Sequence, residues 1–142
     1  RLMGPVTVLS PEPVVGAVSL SAELKTPRPG PGKKDSLQLV FCYLNMHQYY
    51  SVCLQRNGTL VLWKRTGEWS SEQLDSAKVD SARPGAWNRL EASCSEGTIE
   101  VRLNGKSVLS AIDPDPYQNG RFGFDVPLHV ADARVRAVTQ MA

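Results

Sequence analysis

Few side chains in this sequence combine a reactive type with a useful spacing. Asp113 and Asp115 stand two residues apart. At that spacing a strand would aim two carboxylates from one face, about 5 Å apart, as acid and nucleophile of a retaining glycosidase. Pro114 and Pro116 interleave them, so the pair belongs to a loop, where turn initiation explains both acids. A calcium ion near Asp113 and Asp115 is the functional alternative, because carboxylates and loop carbonyls suit a hard cation; two adjacent acids are a thin ligand set for it. Glu91 and Glu100 fall on what reads as a solvent face. His47 and His129 lie in expected loops without a Ser or Cys partner in a recognisable motif. Cys42, Cys53 and Cys94 match no zinc spacing, and strand cysteines packed among Val40, Leu44 and Leu62 would be buried, with a raised pKa and poor reactivity. The sequence has no glycine-rich phosphate loop and no nucleophile elbow. Asn57-Gly58-Thr59 fits a glycosylation acceptor, but a turn explains it fully. Aromatic residues are the remaining handle. Trp63 and Trp87 lie in strand-like runs and read as core, whereas Trp69 stands in the polar run Thr66-Gly67-Glu68-Trp69-Ser70-Ser71 and is the best single contact candidate.

The totals are those of an ordinary globular domain. The chain has 142 residues, 42% hydrophobic and 21% charged, which is ordinary globular composition and enough for one two-layer core. The expectation is one domain over 1–142, part of a longer protein, with any targeting signal outside a sequence that starts at Arg1. A net charge of +2, with Lys33-Lys34 and Lys64-Arg65 as the densest basic spots, gives no nucleic-acid footprint. No apolar run approaches the roughly 20 residues of a membrane helix, so membrane insertion is not expected. Three cysteines read as small buried hydrophobes and leave the compartment open.

Strands must position whatever site exists. Period-two alternation and β-branched or aromatic residues mark Ala17–Lys25, Leu37–Leu44, Tyr49–Gln55, Thr59–Lys64, Trp87–Ser95, Thr98–Leu103, Lys106–Ile112, Arg121–Asp125 and Val130–Val138, with a shorter Val6–Leu9 before them. The Pro/Gly-rich stretch 26–32 reads as a long exposed loop. Asn57-Gly58 and Asn104-Gly105 are strong two-residue hairpin turns, and Glu96-Gly97 is a weaker third. A turn at Glu96-Gly97 sets Leu90, Ala92 and Cys94 against Leu103, Val101 and Ile99 on one face, with Glu91 opposite Arg102 on the other. The earlier hairpins differ. A turn at Asn57-Gly58 pairs Leu54 with Val61 and Val52 with Trp63; one at His47-Gln48 sets Cys42 opposite Cys53, close enough for a disulfide. Leu39, Phe41, Tyr43, Val52, Leu54, Val61 and Trp63 then share one face, and Val40, Cys42, Leu44, Cys53, Leu60 and Leu62 the other. Both are apolar, so these strands are either covered twice or offer a docking surface.

Tyr49-Tyr50-Ser51-Val52 followed by Asn57-Gly58-Thr59-Leu60-Val61-Leu62-Trp63-Lys64, then Pro84-Gly85-Ala86-Trp87-Asn88-Arg89-Leu90 leading into Ile99–Gly105, and finally Asn119-Gly120-Arg121-Phe122-Gly123-Phe124 with Ala133-Arg134-Val135, resemble in order the segments of a known family. It is the concanavalin A-like jelly roll, in its laminin-G-like branch. That branch includes the domains of 3-keto-disaccharide hydrolases and some carbohydrate-binding modules. The resemblance implies an all-β, two-layer antiparallel jelly-roll sandwich, a saccharide ligand, and an extracellular or cell-envelope setting. Where relatives often carry an arginine or another polar side chain, this sequence has Cys42 and Cys53, a departure that moves weight toward protein docking. The leading expectation is a non-catalytic binding module without a cofactor. Asn45, His47, Tyr49, Lys64, Arg65 and Trp69 are its ligand-binding residues, the aromatics stacking and the amide and cations hydrogen-bonding. The alternative is a structural domain that docks a protein or subunit through Val40, Cys42, Leu44, Cys53, Leu60 and Leu62. A glycoside-processing enzyme is a more distant third.

Overall fold

The computed structural model describes residues 5–9, 12–13, 16–25, 37–55, 58–79, 86–127 and 134–141. The expected loop at 26–32, Asn57, His129 and the start of the expected strand at 130–133 lie outside them. Among the described residues every regular element is a strand: β1 (Pro5–Leu9), β2 (Val18–Lys25), β3 (Leu37–Asn45), β4 (Gln48–Leu54), β5 (Thr59–Arg65), β6 (Ser71–Lys78), β7 (Trp87–Ser95), β8 (Thr98–Leu103), β9 (Lys106–Ile112), β10 (Arg121–Pro127) and β11 (Arg134–Met141). They form a six-stranded sheet, β1-β10-β3-β4-β5-β6, and a five-stranded sheet, β11-β2-β7-β8-β9. The fold is a two-layer antiparallel jelly-roll sandwich, as the family resemblance implied. Its core lies between the layers, where Leu39, Phe41, Tyr50, Val52, Leu60 and Leu62 of one sheet meet Leu20, Leu90, Ile99, Val101, Leu103 and Leu109 of the other.

The five-stranded sheet follows the sequence reading closely. Glu96 and Asn104 take positive φ (49° and 51°), and glycine follows each, so both hairpins turn in two residues. The register runs from Ser95 opposite Thr98 to Leu90 opposite Leu103. Glu91 does stand opposite Arg102, but the expected ion pair does not form. Arg102 Nε turns along its own strand to Glu100 at 3.0 Å, and Glu91 sits 3.6 Å from Arg89.

The six-stranded sheet corrects the sequence reading at two turns and one bulge. Gly58 donates to the Gln55 carbonyl at 3.0 Å and Gln55 donates to the Thr59 carbonyl at 2.9 Å, so Gln55 faces Thr59 and the connection is longer than a two-residue turn at Asn57-Gly58. Leu54 therefore faces Leu60 and Val52 faces Leu62, in place of Val61 and Trp63. A one-residue slip sends every side chain of β5 to the opposite face. The β3–β4 turn is Met46-His47, with Asn45 opposite Gln48. Between Phe41 and Asn45 the register shifts, and Cys42 takes a φ of 49°. This bulge lets Phe41 and Cys42 both enter the core in succession. Cys42 is consequently not opposite Cys53; their disulfide does not form, and all three cysteines are buried thiols. Cys42 meets Cys94 across the layers, and that thiol–thiol hydrogen bond, then burial, pushes the Cys42 thiol far above its ordinary range.

β6 was not expected at all. Its sequence, SEQLDSAK, is polar because it is the sheet's edge. Only Leu74 and Ala77 pack on the core, while the Asp75 carboxylate accepts from the Ser110 amide at 3.0 Å and ties β6 to β9.

Candidate functional site

With Leu60 and Leu62 inside, strand alternation turns Val61, Trp63 and Arg65 of β5 outward, together with Tyr49, Ser51 and Cys53 of β4. Gln38 stands opposite Cys53 on the same face. These positions enclose a depression of about 260 Å³ on the outer face of the six-stranded sheet, lined by Gln38, Tyr49, Ser51, Trp63, Arg65 and Ser71. Val40, Cys53 and Val61 share this face and are buried in it. After the bulge Tyr43 also turns outward and stacks on Tyr49, with centroids 5.3 Å apart and planes 24° apart. Arg121 of β10 is opposite Tyr43. A Cβ on Gly120 would lie 2.3 Å from the Cys42 carbonyl carbon and 2.4 Å from the Tyr43 nitrogen, so only glycine lets β10 approach the bulge this closely.

Arg65 is fixed by its own loop. Nε donates to the Gly67 carbonyl at 2.7 Å, and Nη2 donates to the Glu68 carbonyl. The same loop is closed by the Thr66 amide on the Ser70 carbonyl at 3.1 Å and by the two hydroxyls of Thr66 and Ser70 at 2.9 Å. Trp69 is held at its tip, 90% exposed. Because Tyr49 pairs with Arg65, the β3–β4 turn lies at the same end of the sheet as this loop. In that turn Asn45 accepts from the His47 amide and donates to Gln48 Oε1, both at 2.9 Å. The His47 Nδ1 is buried without a partner.

Lys64, read from sequence as a rim residue, belongs elsewhere. It alternates with Arg65 and so points between the sheets, where Nζ lies 2.8 Å from Asp113 Oδ2 and 2.8 Å from the Asp115 carbonyl. Tyr50 donates to the same carboxylate at 2.6 Å and accepts from the Tyr117 amide at 3.0 Å. Asp115 donates its amide to Asp113 Oδ1 at 3.0 Å. Burial alone would raise the Asp113 pKa, yet Lys64 and then Tyr50 hold it below the usual carboxylate range. Burial likewise works against the Lys64 ammonium, and Asp113 more than restores it. The calcium alternative at Asp113 and Asp115 meets an obstacle: an ammonium already holds the carboxylate and the carbonyl that would ligate it.

The six residues read as one docking face do not share a face. Cys42, Leu60 and Leu62 are in the core, Val40 and Cys53 floor the outer face, and Leu44 is exposed at the bulge. Of the expected ligand-binding residues, the structure puts Tyr49 and Arg65 in the depression, Asn45, His47 and Trp69 in the two turns at its end, and Lys64 inside. Gln38, Ser51, Trp63 and Ser71 were missed as a set. The signal was present: assigning Leu60 and Leu62 to the core forces Trp63 and Arg65 out. A larger depression, about 500 Å³, lies along Ala17–Ser19, Ser93–Ser95, Thr98 and Glu100 and has no aromatic or cationic side chain to orient a ligand.

A family model described as the 3-keto-alpha-glucoside-1,2-lyase-like domain matches residues 11–139. No curated protein matches by sequence. Among solved structures, the carbohydrate binding module CBM66 from Bacillus subtilis superposes with a TM-score of 0.79 at 17% identity, over 100% of this chain and 84% of that one. The VIP36 exoplasmic/lumenal domain in its Ca2+/Man-bound form gives 0.75 at 10% identity, over 99% and 74%. Sheep galectin-11 in complex with glycerol gives 0.67 at 14%, over 99% and 100%. At these identities the likeness is one of fold.

Proposed function

The chain belongs to the 3-keto-alpha-glucoside-1,2-lyase-like domain family, and on that premise we propose that it is a saccharide-binding module acting through the outer face of its six-stranded sheet. The observation that carries this reading is the lining itself: Tyr49 and Trp63 beside Gln38, Ser51, Arg65 and Ser71 in one depression. Pyranose rings present apolar C–H faces and a rim of hydroxyls, and this lining offers the complement, aromatic surface ringed by donors and acceptors. Trp69 extends the aromatic surface beyond the β5–β6 loop, and Asn45 and His47 supply polar groups at the same end. The fold neighbours include a chain named as a carbohydrate binding module, which supports the choice of ligand class by analogy.

The family description invites a catalytic reading. Lyase or hydrolase chemistry needs a positioned acid or base, and the lining of the depression contains neither carboxylate nor imidazole. Binding is therefore preferred. The setting proposed for it is extracellular or cell-envelope, where glycans are met.

The experiment is a glycan array with the wild-type chain, Trp63→Ala and Tyr49→Ala, each checked for an unchanged melting temperature. Binding that both substitutions abolish is the expected outcome. Wild-type binding that survives both would move the site off this face, and silence across the array would remove the saccharide reading.

A further inference from the structure

We infer that the depression selects acidic saccharides, whose sugar units carry a carboxylate, over neutral ones; this rests on the saccharide reading and adds the ligand's charge. Three observations support it. First, Arg65 is the charged residue of the lining, and its guanidinium plane is set by the carbonyls of Gly67 and Glu68. Two of its five N–H donors are used in this way, and no described residue claims the others. A guanidinium held in place by neutral carbonyls keeps its full charge and loses little freedom on binding, so it meets a carboxylate ready-made.

Second, no acid lines the depression. The ion pairs among the described residues consume Asp113, Glu91 and Glu100 elsewhere, on Lys64, Arg89 and Arg102. A site built for a neutral sugar gains nothing from an uncompensated cation on its wall. Neutral amides and hydroxyls would orient the hydroxyls without the desolvation that a charge costs. Third, Arg121 is exposed and stands opposite Tyr43, the residue that stacks on Tyr49. A second cation thus shares the face, toward β10, at the other side of the stacked tyrosines from Arg65. An oligosaccharide laid across the tyrosines would meet a guanidinium at each side, which suits a ligand with a charge on more than one unit.

The test compares oligogalacturonate and hyaluronan oligosaccharides with their carboxyl-reduced forms, which keep the ring and linkage and remove the charge. Titration calorimetry on the wild-type chain should show the acidic forms bound about tenfold or more tightly, the ratio that one charge-assisted pair supplies. That preference should shrink as salt rises from about 0.05 M to about 0.5 M. Arg65→Gln should erase most of the preference, Arg65→Lys should keep part of it, and Arg121→Gln should reduce it. Because Arg65 also ties its loop, each variant is checked by its melting temperature; if Arg65→Gln fails to fold, the wild-type comparison and Arg121→Gln decide. Reduced forms bound as tightly as the acidic ones would overturn the charge preference and leave saccharide binding intact. Sulfated oligosaccharides bound in preference to carboxylated ones would overturn the assignment to carboxylates. No binding in either set would overturn the charge preference, and the glycan array would then decide the saccharide reading by itself.

Discussion

Lys64 and Arg65 are chain neighbours whose side chains leave opposite faces of one strand, and the two cations have different physics. Lys64 is desolvated and survives only because Asp113, the Asp115 carbonyl and the Tyr117 ring (4.8 Å from Nζ) surround it. Removing one partner strands the other charge: Asp113→Asn should cost about 3–5 kcal/mol in urea denaturation, more than Lys64→Met combined with Asp113→Leu. Tyr50→Phe removes a donor from Asp113 and an acceptor from the Tyr117 amide, and should cost about 1–3 kcal/mol. The pH dependence follows from the same cluster. The folded Asp113 pKa lies below its unfolded value, so its contribution to stability is full above the ordinary carboxylate range and is lost as pH falls through the lowered folded value. Acid titration of the melting temperature should show this decline, and Asp113→Asn should flatten it. The buried thiols give a complementary check: a thiol reagent should label Cys42 slowly in the native chain and at once after unfolding, whereas rapid native labelling would contradict the core placement.

At the level of the element, the bulge in β3 shapes the proposed site. It places Phe41 and Cys42 in the core together and turns Tyr43 out onto Tyr49. Gly120 is what accommodates it. Gly120→Ala should destabilise by about 1–3 kcal/mol through overpacking, and should weaken ligand binding by displacing Tyr43; an unchanged affinity would show that Tyr43 is not part of the site. The same element explains what could be read in advance. Between β7 and β8, Glu96-Gly97 turns in two residues and alternation carried the register without error; Asn104-Gly105 also turns in two, but beyond Arg102–Ser107 the register of β9 shifts by one and sets Val101 opposite Leu109. Between β3 and β5 alternation failed, because a residue in the left-handed region breaks it at Cys42 and because Gln55 faces Thr59 before the reversal at Gly58, which sets Leu54 opposite Leu60 in place of Val61. Neither event has a composition signature: the Cys42 bulge is stabilised by packing against β10, and both apolar faces of β4 and β5 tolerated either register. β6 was illegible for another reason, since an edge strand that buries only Leu74 and Ala77 has no apolar stripe to detect.

For the whole molecule, the sandwich divides its labour between its faces. The inner faces hold the core and the Lys64–Asp113 pair, and the outer face of the six-stranded sheet presents Tyr43, Tyr49, Trp63 and Arg65 to solvent. The two turns at one end of that face carry Met46 and Trp69, with Leu44 beside them at the bulge of β3, all exposed. A side chain as exposed as Trp69 contributes little to folding, so Trp69→Ala should leave the melting temperature within about 1 °C and lower affinity for longer glycans more than for short ones, as binding curves against chain length would reveal. The family resemblance was legible from ordered motifs and led to the fold. The position of the site was not, because it depends on which face Trp63 and Arg65 occupy, and one residue of register decides that. The most direct measurement is a two-dimensional amide NMR titration of the labelled chain with a glycan that binds. Shifts concentrated on Gln38, Tyr43, Tyr49, Ser51, Trp63 and Arg65 are the expected result; shifts concentrated on β7, β8 and β9, with those residues silent, would contradict it.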